Sequence, residues 1–339
     1  MFGAHAITTP EPDHTSVDPS PRSGRWAVTG LVLVLVAAGW FGLQMFGGDE
    51  SSLASAGCTS ATTTTVSMIV APALADLVDE AVNSLADNGQ CIELDVTTAT
   101  VADVAAAQDE VGEGEEDTLP DLWVPDSPAW QSVLNEADHT GRTLVPALAS
   151  TPVALASGVS EQAPATWLEV LSSPRLVVSD PLASGASALT MLAPFSEAAE
   201  GIGSVSVAQN AIVPVAQAFG AEVAAGQVVN DLTIDTITAG DDHLIPVTEH
   251  DLLIARRGND ALRWVVPATG AAVLNFPLVQ PQAPSGGISV GSGSLDVAGR
   301  TGDRIAAWFT SEEGLAALAG DQLRGADGAP IADAEVVGE

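Results

Sequence analysis

The hydrophobic positions of this chain follow two periods, one typical of strands and one typical of helices. Short β-branched runs such as VSMIVA, CIELDVTT and RLVVSD predict strands, and LWV predicts a short buried strand. Between these runs, alanine- and leucine-rich stretches such as PALADLVDEAVNSLADNG predict amphipathic helices. Because strands and helices alternate, we expect an α/β fold with a mainly parallel sheet.

A charge-free stretch runs from Trp26 to Gly48, which is longer than the ~20 residues that cross a bilayer. Arginines precede it and acidic residues follow it, so the N-terminus should be cytoplasmic. We expect a disordered cytoplasmic tail over 1–25, a transmembrane helix over 26–47 and a linker over 48–57. The main domain would then be extracellular. A cleaved signal peptide is the alternative, although its apolar core is usually only ~7–15 residues long.

The exported portion is above the size at which a single core tends to divide. Prolines interrupt the extended run LVPALASTPVALASG, and a second extended run, LRWVVPATGAAVLNFPLV, returns later in the chain. These runs suit connections between two lobes. We expect one lobe over 58–148 with 263–339, and a second lobe over 149–262.

Charge excludes one class of partner and cysteine content predicts a cross-link. Ten basic residues, all arginine, stand against 44 acidic ones, for a net charge of −34. Such a surface repels phosphate backbones, so we expect no nucleic-acid partner. The two cysteines, Cys58 and Cys91, both fall on the exported side, which favours a disulfide over two unpaired thiols.

The segment PDLWVPDSPAW predicts a buried strand that runs directly into a helix start, where a hydroxyl and free backbone amides meet. Similar corners occur in PLASGASAL and TEHDLL, and the crossing segment carries a Ser-Thr pair. Each corner alone can be a plain helix cap. Together they favour a cleft between lobes, since ligands bind where strand ends meet helix N-termini. The candidate ligand-binding residues are Ser127, Ser150, Thr151, Ser184, Ser187, Thr248 and Glu249.

The sequence carries no catalytic signature. It lacks an H-E-x-x-H motif and any lysine, and its one G-x-S-x-G string, GISVG at 287–291, belongs to the Gly/Ser-rich run GISVGSGS, which we interpret as a flexible loop. His243 and His250 lie near aspartates, but a strand and the following helix rarely aim two rings at one point. We therefore expect no catalytic residue, no metal and no cofactor.

In their order, PDLWVPDSPAW, LASTPVALA, VVSDPLASGASAL, IPVTEHDLLIA, LNFPLV and IAAWFTSEEGLAAL resemble the type II periplasmic-binding-protein-like domains of actinobacteria. In particular, they resemble the membrane-anchored ones found before von Willebrand factor A domains. The resemblance spans about Cys58 to Leu323 and implies a two-lobed type II fold with the seven candidates near the interlobe cleft. The chain departs from the oxyanion binders of this superfamily, because its first corner carries Ala71, Pro72 and Ala73 instead of a hydroxyl. The D-x-S-x-S motif of the von Willebrand module is also missing.

Two functions follow from this pattern. The first is an anchored solute-binding protein that captures a small molecule and passes it to a membrane transporter or sensor. Glu249 would then favour a ligand with a donor or a cationic group. The second is an envelope adaptor that keeps the scaffold, binds a separate envelope protein and captures no ligand.

Overall fold

The computed structural model describes residues 63–85, 91–110, 119–131, 140–160, 162–225, 234–282 and 292–331. The strands and α-helices of these residues are, in chain order, β1 Thr64–Val70, α1 Ala75–Leu85, β2 Ile92–Thr98, α2 Val101–Glu110, β3 Leu122–Val124, β4 Thr140–Val145, β5 Ser150–Ser157, α3 Trp167–Leu171, α4 Gly185–Ala199, α5 Val205–Ala224, β6 Ile245–Thr248, α6 Glu249–Arg256, β7 Arg263–Val265, β8 Val273–Asn275, β9 Leu278–Gln282, α7 Ser292–Phe309 and α8 Glu312–Gly320. They form two lobes, each built around its own sheet.

The first lobe is a five-stranded sheet with the strand order β2-β1-β3-β9-β4. β1 pairs in parallel with β2 and β3, whereas β9 runs antiparallel to β3 and β4. Alternation along β1 turns Val66, Met68 and Val70 into the core. Helices α1, α7 and α8 contribute to the same core, where Trp308 and Phe309 stack edge to face. The carboxyl ends of β1, β2 and β3 therefore lie together at one edge of the sheet.

The second lobe corrects the expectation of a mainly parallel sheet. Its central strand, β5, is buried along its whole length and pairs antiparallel with β6, β7 and β8. The segment RLVVSD, expected to be a strand, makes a single bridge between Leu176 and Leu244. The hydrophobic period predicts a buried strand here, but it carries no signal for the direction of its neighbours.

The chain crosses between the lobes twice, and the two crossings are bonded to each other. The Leu148 amide donates to the Phe276 carbonyl at 2.7 Å, and the Phe276 amide donates to the Ala149 carbonyl at 3.0 Å. The first crossing lies at 148–149. The second follows β8, because β7 and β8 pair with β5, so the second sheet extends beyond the expected limit of 262.

The N-terminal predictions fall outside the described residues. The tail at 1–25, the span at 26–47, the linker at 48–57 and Cys58 all lie there. Among the residues that the structure does describe, no helix is both long and apolar enough to cross a membrane. Because Cys58 lies outside the described residues, its disulfide with Cys91 stays a prediction.

Candidate ligand site between the lobes

A cavity of about 700 Å³ lies between the two lobes. The first lobe contributes the residues that follow the carboxyl ends of β1, β2 and β3. The second lobe contributes the start of α4, the end of β6 and the start of α6. The residues that line the cavity include Ala71, Pro72, Ala73, Ala99, Thr100, Val101, Asp126, Leu182, Ala183, Ser184, Gly185, Asp235, Val247, Thr248, His250, Asp251, Ile254 and Phe276.

Three helices begin at the wall of this cavity, and each N-terminus already holds a carboxylate of the chain. At α2, Asp103 accepts from the Thr100 amide at 2.8 Å and from its hydroxyl at 2.7 Å. At α6, the Thr248 hydroxyl donates to Asp251 at 2.7 Å and accepts from its amide at 3.0 Å. At α4, the carboxylate is that of Asp126. The positive ends of these helices are thus matched by internal negative charge.

Asp126 joins the two lobes inside the cavity. It follows β3 in the first lobe, and its Oδ1 accepts from Trp130 Nε1 at 2.6 Å. Its Oδ2 accepts at 3.0 Å from the amide of Gly185, the first residue of α4 in the second lobe. Burial raises the pKa of Asp126 above its usual 3.8, although hydrogen bonds from Trp130, from Gly185 and from its own backbone amide act in the opposite direction. The desolvation of this carboxylate is therefore only partly compensated.

The approach of Asp126 to α4 depends on glycine at position 185. A Cβ built on Gly185 would overlap Oδ2 of Asp126 and would lie 2.8 Å from its Cγ. A second bond between lobes lies close by, from the Ala102 amide to the Leu182 carbonyl at 2.9 Å. The two lobes are thus held against each other at one wall of the cavity.

Two of the seven candidate residues, Ser184 and Thr248, line the cavity. Both cap helices: Ser184 Oγ accepts from the Ser187 amide at 3.2 Å, and Thr248 accepts from the Asp251 amide. Among the described residues, nothing accepts the hydroxyl proton of Ser184. This proton is available to a ligand.

Four other candidates do not line the cavity, and each has an internal partner. Ser127 caps a short 3₁₀-helix by accepting from the Ala129 amide at 3.2 Å, so the cavity residue of this corner is its neighbour Asp126. Ser150 is fully buried and donates to the Gly325 carbonyl at 2.7 Å. Thr151 accepts from the His250 amide at 3.3 Å, while Ser187 is bonded to Ser179.

Glu249 also lies outside the cavity lining. Its side chain is 2% exposed, and both carboxylate oxygens accept from Arg324, one from Nε and one from Nη2, each at 2.7 Å. Arg324 follows α8, in the first lobe, so this ion pair ties the C-terminal segment to α6. The expected contact of Glu249 with a ligand is replaced by a structural one.

Asp126 is not among the seven sequence candidates, although it lies in the first of the corner motifs. It directly precedes Ser127, the residue that caps the short helix of this corner. The signal that would have selected Asp126 is its position two residues after the end of β3 and one turn before Trp130. Its second partner, Gly185, is 59 residues away and is visible only in the fold.

The charge of the cavity wall is one-sided. Its ionisable lining residues are Asp126, Asp235, Asp251 and His250, and the described residues that line it include no arginine. His250 Nδ1 lies 2.7 Å from the Asp321 carbonyl, so this nitrogen carries a proton and donates. Within the described part of the chain, no group of three His, Cys, Asp or Glu side chains is arranged to hold a metal ion.

The first corner is apolar, as its sequence predicts. Ala71, Pro72 and Ala73 line the cavity, and the short 3₁₀-helix that begins there has no side-chain cap. The wall near them is completed by Ala99 and Val101. A ligand at this corner would meet methyl groups and backbone atoms.

No protein-family model matches this sequence, and a comparison with curated proteins finds no match. Solved structures of binding proteins are similar at low identity. The sulfate-binding protein SubI from Mycobacterium tuberculosis H37Rv is 13% identical, covering 80% of this chain and 90% of that one, with a TM-score of 0.49. Iron-bound HitA from Pseudomonas aeruginosa is 13% identical over 80% and 90%, with a TM-score of 0.48. An ABC-transporter substrate-binding protein from Agrobacterium tumefaciens is 15% identical over 83% of each chain, with a TM-score of 0.45. With these TM-scores all below 0.5, the likeness assigns neither a family nor a ligand to this chain.

Proposed function

We propose that this protein is an extracytoplasmic solute-binding protein that captures a small molecule in the interlobe cavity. The observation that carries the proposal is a cavity of about 700 Å³ whose walls come from both lobes. Small-molecule sites usually occupy ~300–1,000 Å³ and are mostly apolar with a few polar groups. The alanine-rich first corner and the polar starts of α4 and α6 fit that description.

The proposal includes the arrangement that the sequence predicts for the rest of the chain. The segment 26–47 would anchor the protein with its N-terminus inside, and a Cys58–Cys91 disulfide would form outside. A membrane transporter or sensor would receive the captured molecule. The seven candidate residues then divide into two groups. Ser184 and Thr248 stay as proposed ligand contacts, and the other five would support the cavity from behind.

The direct test is a thermal-shift screen of the full-length chain against a library of small metabolites. Any hit is then titrated against Ala183→Trp, which places an indole in the cavity wall, and against Ala106→Trp as a control. Ala106 is an exposed residue of α2 outside the cavity lining. The proposal expects at least a tenfold loss of affinity in the first variant and no change in the second. Equal affinity in both variants would place the ligand elsewhere.

A second candidate function, the envelope adaptor, is favoured by the surface of α5. This helix exposes Val205, Val207, Val213 and Val223 at 47–57%, and the adjoining loop exposes Ile202 at 39%. Several exposed apolar side chains on one element favour protein contacts. A photo-crosslinking residue at position 213, tested in intact cells against one at position 106, distinguishes the two functions. A discrete adduct at 213 alone, with no hit in the ligand screen, would favour the adaptor.

A further inference from the structure

We infer that Asp126 acts as an internal anion that fills the N-terminus of α4, so the cavity excludes free oxyanions and accepts neutral or cationic ligands. This inference rests on the proposed function for the identity of the cavity. It goes further by naming the residue that selects the ligand class.

The N-terminus of α4 is the place that an external anion would take. A helix N-terminus at the edge of a sheet binds anions through its free amides and its positive dipole end. At α4 that position is taken, because Oδ2 of Asp126 accepts from the Gly185 amide at 3.0 Å. The carboxylate comes from the other lobe, so it occupies the position that an external anion between the lobes would occupy.

The rest of the cavity wall is also unfavourable to an external anion. The N-termini of α2 and α6 are matched by Asp103 and Asp251, so neither is free for an external anion. Asp235 adds a further negative charge, and the described lining includes no arginine to offset it. An entering sulfate or phosphate would therefore face carboxylates, with no arginine in the described lining to pair with.

The cavity favours a ligand that places a hydrogen-bond donor or a positive charge beside Asp126. The carboxylate of Asp126 accepts hydrogen bonds from Trp130, from Gly185 and from its own backbone amide, but burial still outweighs them and raises its pKa. A positively charged or hydrogen-bond-donating group beside it would supply the missing compensation. The methyl groups of Ala71, Ala73 and Val101 offer an apolar surface to the remainder of such a ligand.

The experiment removes the internal anion and offers external ones. Asp126→Ala frees the Gly185 amide, whereas the control Asp235→Ala removes the same charge from an exposed part of the wall. Each full-length protein is titrated calorimetrically with sodium acetate and sodium sulfate, with sodium chloride matched for ionic strength. We expect acetate to bind Asp126→Ala at least tenfold more tightly than the wild type or Asp235→Ala. No gain over Asp235→Ala, or binding of sulfate by the wild type at micromolar concentration, would overturn the inference.

A measurement on the wild type covers the case in which Asp126→Ala does not fold. The amide resonance of Gly185 is followed by NMR during addition of sodium sulfate at constant ionic strength. We expect no saturable shift, because the amide already donates to Asp126, and a saturable shift would overturn the inference. Failure of the ligand screen leaves both readouts intact, so the proposed function and this inference can fail separately.

Discussion

Replacing Glu249 by alanine should destabilise the protein strongly, because it leaves the guanidinium of Arg324 without its two carboxylate acceptors. Both bonds of the pair are 2.7 Å long, and the two side chains are only 15% and 2% exposed. Removing one partner of a buried ion pair costs about 3–5 kcal/mol, since the remaining charge stays desolvated. The Gly328 carbonyl, which accepts from Nη1 at 3.2 Å, offers Arg324 little replacement.

The assay is urea unfolding followed by tryptophan fluorescence, with Glu312→Ala as the matched control. Glu312 is also the first residue of a helix behind a hydroxyl cap, but it is exposed. Both changes remove an acidic residue from a helix N-terminus, and only one breaks a buried pair. We expect about 3–5 kcal/mol for Glu249→Ala and below about 1 kcal/mol for Glu312→Ala. Replacing Glu249 and Arg324 together by leucine should recover much of the loss, because no buried charge then remains.

This experiment also separates the two roles considered for Glu249. A ligand contact would lose affinity on replacement while the free protein kept its stability. A structural ion pair loses stability even without ligand. A cost below about 1 kcal/mol, indistinguishable from that of Glu312→Ala, would refute the structural role argued from the geometry.

Because Asp126 and Gly185 are in contact, the effects of replacing them on the free energy of unfolding should not add. Gly185→Ala should lower it by about 1.5–3 kcal/mol in the wild type, but by under about 0.5 kcal/mol in an Asp126→Ala background. Equal costs in both urea titrations would contradict the contact. Because burial raises the pKa of Asp126, protonation of this carboxyl group stabilises the folded chain at low pH. This stabilisation is lost as the pH rises from 3.8 through the raised pKa. The unfolding free energy of wild type minus that of Asp126→Ala should therefore be largest near pH ~3, and a rise with pH would argue against the buried carboxylate. Non-reducing peptide mapping should recover Cys58 linked to Cys91, and alkylation of both thiols without reductant would exclude the disulfide. Protease added to intact protoplasts should remove the main domain and spare a tag placed before 26–47, and the reverse protection would exclude the proposed orientation.

Local features of the fold could be predicted from the sequence because they depend on neighbouring residues. Ser127, Ser184 and Thr248 cap helices as expected, each accepting an amide two or three residues ahead. The alternation of strands and helices in the sequence also predicts the mixed α/β character of the structure. Strand direction in the second lobe could not be predicted, because the pairing of β5 joins segments about 90 or more residues apart.

The composition of the site depended on partners that are distant in sequence. Ser150 and Glu249 are satisfied by Gly325 and Arg324, which lie 175 and 75 residues further along the chain. A sequence pattern shows that a polar group stands at a strand end or a helix start. It does not show whether another part of the chain already uses that group, and this decides which groups remain for a ligand.

What remains for a ligand can be worked out from this internal pairing. The helix N-termini at the cavity are matched, so most of the binding energy must come from apolar contact with the alanines of the first corner and with Val247, Ile254 and Phe276. Apolar burial contributes about 25 cal/mol per Å², so covering ~200 Å² would give roughly 5 kcal/mol before the cost of association. That alone supports weak binding. Selectivity must then come from polar groups of the lining, above all the hydroxyl proton of Ser184 and the incompletely compensated carboxylate of Asp126. The hydroxyl proton of Ser184 favours a ligand that presents a hydrogen-bond acceptor to it. The carboxylate of Asp126 favours a donor or a positive charge on another side of the same ligand.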